Sequence, residues 1–173
     1  MGVRRLTGIE AMSNAEFRDR AAILVFNVGS SSLTFRLYRD SQVLVRGKCH
    51  RVGVTGMEPA FMEMHRGEVS EKLMLALPDH VTAATHVFDY LAEHRPEVDA
   101  VGHRFGDGGG YFTRSTIVDA STRPLLERCV PLAPLHNAAA LAMVDLVSRR
   151  LGGVPQYVVF DSTFHAGLPD VAG

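Results

Sequence analysis

Tryptophan is missing from this 173-residue chain, and cysteine occurs only twice, at Cys49 and Cys129. Two cysteines so far apart make neither a disulfide framework nor a metal-binding spacing, so they read as reduced, cytosolic thiols. No apolar run reaches the length of a membrane span. The opening stretch MGVRRLTGIEAMSNAEFRDR carries arginines without an apolar segment, which excludes a secretory signal. A block of one charge is missing as well. Eighteen Lys and Arg are interspersed with nineteen Asp and Glu, for a formal net charge of −1. That balance gives no reason to expect nucleic acid or an acidic membrane as partner. H-E-x-x-H, GxSxG and CxxC patterns are missing, so zinc protease, serine hydrolase and thiol redox chemistry have no support.

What is present suits one domain with a proper core: 46% of residues are hydrophobic and 21% charged. Residues 1–21 read as a loosely ordered extension, with Met12 as a second candidate start. Residues 22–173 form the domain. The apolar run 23–26 predicts a strand buried on both faces. Leu33, Phe35 and Leu37 then alternate with Thr34, Arg36 and Tyr38, a half-buried strand, and a third strand begins at Val43. Residues 53–80 predict loops and short strands. Asp79 offers an N-cap to a helix bearing Val81, Ala84, Val87, Phe88 and Leu91 on one face, closed by Pro96. Residues 98–103 predict another strand. A further helical segment follows Ser121. Asn137 then reads as the cap of a helix with Ala140, Met143, Val144, Val147 and Leu151 on one face, stopped at Gly152 and Gly153. Residues 157–160 give a final strand. The order β-β-β-α-β-α-α-β implies an α/β mixed sheet with helices on its faces.

Three apolar strands end in chemistry: Phe26 in Asn27, Val101 in His103 and Arg104, Phe160 in Asp161. In open α/β sheets, ligands gather where strands stop. Each strand end alone is where polar residues ordinarily resume; the three together favour a charged ligand and a metal. The stretch ILVFNVGSSSLT belongs to the same picture. Gly29 permits a turn, and Ser30, Ser31 and Ser32 could line an anion. It is not a P-loop, since GxxxxGK[ST] is missing. A tight hairpin, a phosphate cradle and a metal–phosphate centre all satisfy it. In RFGDGGGYF, Arg104 offers a planar fork to a carboxylate or phosphate, and the glycines allow either close backbone approach or a flexible loop. PLAPLHN places His136 in a proline-stiffened loop at a helix start.

N-x-GSSSL-x-F from Asn27 to Phe35, VGHR with GG downstream, PLAPLHN and VFD-x-x-FH, in that order, resemble the acetate kinases. These form the acetokinase branch of the actin-like ATPase and sugar kinase superfamily, whose domains carry a ribonuclease H-like mixed sheet with flanking helices. The resemblance implies transfer of a phosphoryl group from ATP to acetate, giving acetyl phosphate and ADP, with Mg2+ and in the cytoplasm. It implies that Gly29, Ser30, Ser32 and Thr34 face the phosphates and that Asn27 contacts the metal. Arg104 and His136 would bind substrate, Gly106 and Leu135 would line the acyl pocket, and Asp161 would be the essential acidic residue.

Three departures from the pattern matter. Thr34 stands where the family has Lys, Asp107 begins the family's HGG, and Gly106 replaces an apolar residue bordering the acetate methyl, which would admit propionate or butyrate. Family members are also more than twice as long. The resemblance therefore implies an N-terminal half without its second domain, inactive alone, with a homodimer or a complementing C-terminal half as partner. A non-catalytic remnant or binding module is the alternative.

Overall fold

The computed structural model describes residues 21–56, 58–94 and 97–161. Five antiparallel strands come first: β1 (Ile23–Val28), β2 (Ser32–Arg39), β3 (Gln42–His50), β4 (Phe61–Arg66) and β5 (Val69–Met74). Helix α1 (His80–His94), β6 (Ala100–Phe105), a two-residue β7 (Thr116–Ile117), α2 (Arg123–Cys129), α3 (Pro134–Arg150) and β8 (Gln156–Phe160) follow. The strands form one sheet in the order β5-β4-β3-β2-β1-β6-β8-β7. Strands β1, β6 and β8 are parallel neighbours at its centre. This is the mixed sheet with flanking helices that the sequence implies. Among the described residues, no helix is long and apolar enough to cross a membrane.

The alternation in β1 and β2 decides which face is covered. Leu24, Leu33, Phe35 and Leu37 are fully buried, and Phe26 nearly so, all packed in one cluster with Val87 and Phe88 of α1 and Met143 and Val147 of α3. Each such side chain contributes about 1.5–3 kcal/mol on burial. The other face carries Asn27, Thr34 and Arg36, and at β8 leaves Tyr157 39% and Val159 46% exposed. A second cluster forms beneath the chemistry-bearing end, where Phe105, Phe112, Leu126, Val144 and Phe160 meet. Helix α3 serves both clusters, so it fixes the end of the sheet relative to its middle.

Several boundaries differ from the sequence reading. Strand β1 runs through Asn27 to Val28, and β6 runs through Arg104 to Phe105, because backbone pairing continues after the apolar run ends. A polar side chain on the open face does not interrupt a ladder. The stretch expected to hold loops and short strands does hold two six-residue strands, β4 and β5, which pair as a hairpin. Asp79 does cap α1, its Oδ1 accepting the Thr82 N–H at 2.7 Å. Asn137 is no cap: α3 begins at Pro134, and Asn137 lies fully buried inside it. Pro96 lies outside the described residues, as does residue 165 of the last motif.

His103 is 2% exposed. It stacks on Phe26, and its Nε2–H donates to Gln156 Oε1 at 2.8 Å. Burial disfavours the imidazolium and lowers its pKa from 6.5 to about 4, although the Gln156 bond partly opposes this. Between those values the unfolded chain holds a proton that the folded chain refuses. The His103 contribution is therefore complete above pH 6.5 and declines as pH falls toward 4, by about 3 kcal/mol in all. Urea midpoints at pH 7 and pH 5 should show a loss in the native chain that shrinks in His103→Gln. An equal loss in both would assign the acid sensitivity elsewhere.

Candidate functional site

At the end of the three central parallel strands, the side chains of Asn27, Arg104 and Asp161 meet. Arg104 leaves β6 on the open face, Asn27 leaves β1, and Asp161 directly follows β8. The guanidinium grips Asp161 in a fork, Nε donating to Oδ1 and Nη2 to Oδ2, each at 2.8 Å. Its Nη1 donates to Asn27 Oδ1 at 2.9 Å. The Asp161 bond raises the Arg104 pKa above its already high value, so the group is permanently cationic. An arginine carries five N–H donors, and three are engaged here, which leaves two for a ligand. The pair is 53% and 44% exposed, so it adds little to stability.

The serine turn lies between β1 and β2. Its carbonyls are tied down: Gly29 O accepts from His80 Nε2 at 2.8 Å, Ser31 O from Val52 N at 2.9 Å, and Ser32 O from Gly29 N at 2.8 Å. The Ser30 and Ser31 N–H groups have no partner among the described residues. A Cβ on Gly29 would stand 2.6 Å from Ser32 Oγ, so a larger residue there would turn that hydroxyl aside. Thr34 lies opposite Asn27 on one side and opposite Lys48 on the other, which puts a cation one strand away from the position where the resemblance expects one.

Val28, Arg104, Gly106, His136 and Asp161 line a pocket of about 70 Å3. Leu135 is 77% exposed and is not among the lining residues. Phe105 cannot fill the space left by Gly106. It is fully buried on the opposite face, edge-on to Phe160 at 5.8 Å. A Cβ at 106 would stand 3.4 Å from Ala133 Cβ and 3.6 Å from His136 Cβ, ordinary to tight packing beside the pocket. Asp107 turns its carboxylate onto its own loop, where Oδ1 accepts the Gly109 N–H at 2.7 Å.

Two residues shape the site in roles that the sequence reading did not give them. Asn137 Oδ1 accepts from Gly106 N at 3.0 Å and Asp107 N at 3.4 Å, while its Nδ2 donates to Asp107 O and Cys129 O at 2.9 and 2.7 Å. That amide fastens the loop after Arg104 to α3. His80 fastens the serine turn to α1. Neither has a local signal, since each acts across the chain through a single side chain.

For a divalent ion, the described residues hold no cluster of three or more His, Cys, Asp or Glu. Asn27 and Asp161 offer an amide oxygen and a carboxylate on either side of Arg104. All three of these oxygens accept from Arg104, so Mg2+ there would use their remaining lone pairs together with waters and substrate phosphates.

Residues 22–173 match the sequence profile of the acetokinase family. The acetate kinase of Caldanaerobacter subterraneus subsp. tengcongensis is 36% identical over 161 residues, covering 87% of this chain and 39% of the relative. That of Moorella thermoacetica is 37% identical over the same length and coverage. Among solved structures, an acetate kinase from Entamoeba histolytica superposes with a TM-score of 0.76 at 31% identity, over 87% of this chain and 37% of that one. A propionate kinase from Francisella tularensis subsp. tularensis superposes with a TM-score of 0.76 at 30% identity, over 86% of this chain and 39% of that one. The chain thus spans about two-fifths of the length of the curated relatives it matches.

Proposed function

Since the chain belongs to the acetokinase family, we propose that it carries the carboxylate- and phosphate-binding part of a kinase that converts ATP and acetate to acetyl phosphate and ADP. The observation that carries this reading is Arg104, fixed by Asn27 and Asp161 with two N–H groups left over, in a pocket with Gly106 and His136. The two remaining N–H donors, one each on Nη1 and Nη2, can meet a carboxylate, and the same donors can follow charge onto a phosphoryl group in transit. The Ser30 and Ser31 N–H groups, unpartnered among the described residues, with the Ser32 and Thr34 hydroxyls, suit the phosphate chain of the nucleotide. Mg2+, held by Asn27 and Asp161, would neutralise phosphate charge as the transfer proceeds.

In-line phosphoryl transfer asks a protein mainly for positioning and charge neutralisation. The Arg104–Asp161 pair is neutral overall, so further cations must meet two anionic substrates. Lys48 is one on this chain. The remainder of the family's length would supply others and the adenosine site, either on the same polypeptide or on a complementing one.

Gly106 favours a second reading within the class: propionate or butyrate in place of acetate. Each additional buried methylene contributes about 0.8 kcal/mol, and discrimination by one methylene reaches at most roughly 1–3 kcal/mol. The test is acyl phosphate formation with acetate, propionate and butyrate, by this chain alone and by this chain completed with the missing length. The chain alone should give no turnover. The completed protein should turn over, with kcat/KM favouring the longer acids severalfold per carbon, and Gly106→Val should return the preference to acetate. A completed protein without turnover would make the chain a non-catalytic remnant. Unchanged ratios in Gly106→Val would remove the enlarged pocket.

A further inference from the structure

The Gly29 carbonyl and the Ser30 N–H belong to one peptide unit. That unit is planar and trans, so its C=O and N–H point in opposite directions. Whatever holds the carbonyl therefore aims the amide. The holder is His80, fifty-one residues away, whose Nε2 lies 2.8 Å from Gly29 O in a partly buried contact. A carbonyl only accepts, so the hydrogen sits on Nε2.

His80 is well placed to act as a fixed post. It opens α1, whose start is capped by Asp79 on the Thr82 N–H. That N–H holds the Asp79 carboxyl below its usual range. Ala83, Ala84 and Val87 anchor the next turns in the core with no exposure. The flanking loops are joined too, Gly53 N donating to Leu77 O at 2.8 Å. The serine turn, by contrast, has Ser30 and Ser31 exposed.

We propose that His80 is a positioning residue which, by holding the Gly29 carbonyl inward, keeps the Ser30 N–H directed outward at a phosphate group. This rests on the reading of the turn as phosphate-facing. Removing the imidazole frees the 29–30 peptide to rotate, and the amide then loses its fixed aim. Loss of a preorganised donor to a charged acceptor weakens binding by about tenfold.

The experiment uses this chain, 15N-labelled, with His80→Ala and His80→Gln, titrated with tripolyphosphate in the presence of Mg2+. Glutamine keeps an N–H donor at the reach of Nε2. Without ligand, the Ser30 amide should change its shift and exchange rate in His80→Ala but stay close to wild type in His80→Gln. With ligand, the Ser30 signal should move on titration in wild type and His80→Gln, whereas His80→Ala should bind about tenfold more weakly. Binding that perturbs the wild-type turn but is untouched by His80→Ala overturns the positioning role alone. Equal weakening in both variants, with equal falls in thermal midpoint, also overturns it by assigning His80 to packing. If tripolyphosphate moves no amide of the wild-type turn while His80→Ala still alters Ser30, the phosphate reading fails and takes the proposal with it.

Discussion

Asp161→Asn is expected to lower kcat of the completed enzyme by about three orders of magnitude while leaving its thermal midpoint nearly unchanged. The two effects separate because of where the pair sits. Arg104 and Asp161 are half exposed, and an ion pair in that setting contributes about 0–1 kcal/mol to folding. Its geometry is the more valuable property. Two 2.8 Å bonds hold the guanidinium in one plane, with Asn27 as the third support. An asparagine can accept on one atom only and presents an N–H to the other arm of the fork, so the arginine swings. A donor that must meet charge developing in the transition state is worth roughly 10²–10³ in rate when properly held. Loss of a carboxylate available to Mg2+ adds to that. The checks are kcat and KM for acetate together with a melting curve. A melt lowered in proportion to the rate would show that Asp161 serves the fold. A rate within about tenfold of wild type would remove it from the chemistry.

Much of this was legible from residue order. Asn27, Arg104 and Asp161 could be expected together because each comes at the end of an apolar run, and parallel neighbours bring those ends to one place. The structure sets Asn27 and Asp161 each within 2.9 Å of the Arg104 guanidinium. The helices were legible too, since Ala84, Val87 and Phe88 and then Ala140, Met143 and Val144 repeat at helical spacing and are buried. The β4–β5 hairpin was not. Residues 61–66 do alternate, but β5 leaves Val69, Leu73 and Met74 exposed, so hydrophobicity did not reveal which face it covers. Edge strands are specified by pairing with a neighbour more than by their own pattern. Asp107 is a different failure. It stands where the resemblance expects the His of HGG, and its carboxylate closes an Asx turn on Gly109, a use that local spacing also allows.

Asn137 was misread because an asparagine near a helix start ordinarily caps it, whereas here Pro134 begins the helix one turn earlier. Its actual work sets the second expected result: Asn137→Leu should destabilise the chain by about 3–5 kcal/mol. The side chain is fully buried and serves four backbone groups: Gly106 N, Asp107 N, Asp107 O and Cys129 O. A buried polar group left without a partner costs about 1–3 kcal/mol. The groups of residues 106 and 107 are only partly buried, so water can recover part of their loss, whereas Cys129 lies fully buried. Leucine keeps the volume, so the change tests hydrogen bonding rather than a cavity. Against a typical total of about 5–15 kcal/mol, that loss would bring the chain near its limit. Urea unfolding of wild type, Asn137→Leu and Asn137→Asp measures it. Aspartate keeps the acceptor for Gly106 but loses both donations, so it should fall at least as far. A midpoint shift worth less than about 1 kcal/mol in Asn137→Leu would mean that the 106–107 loop stands without α3. The Gly106 wall of the pocket would then owe its shape to something other than this amide.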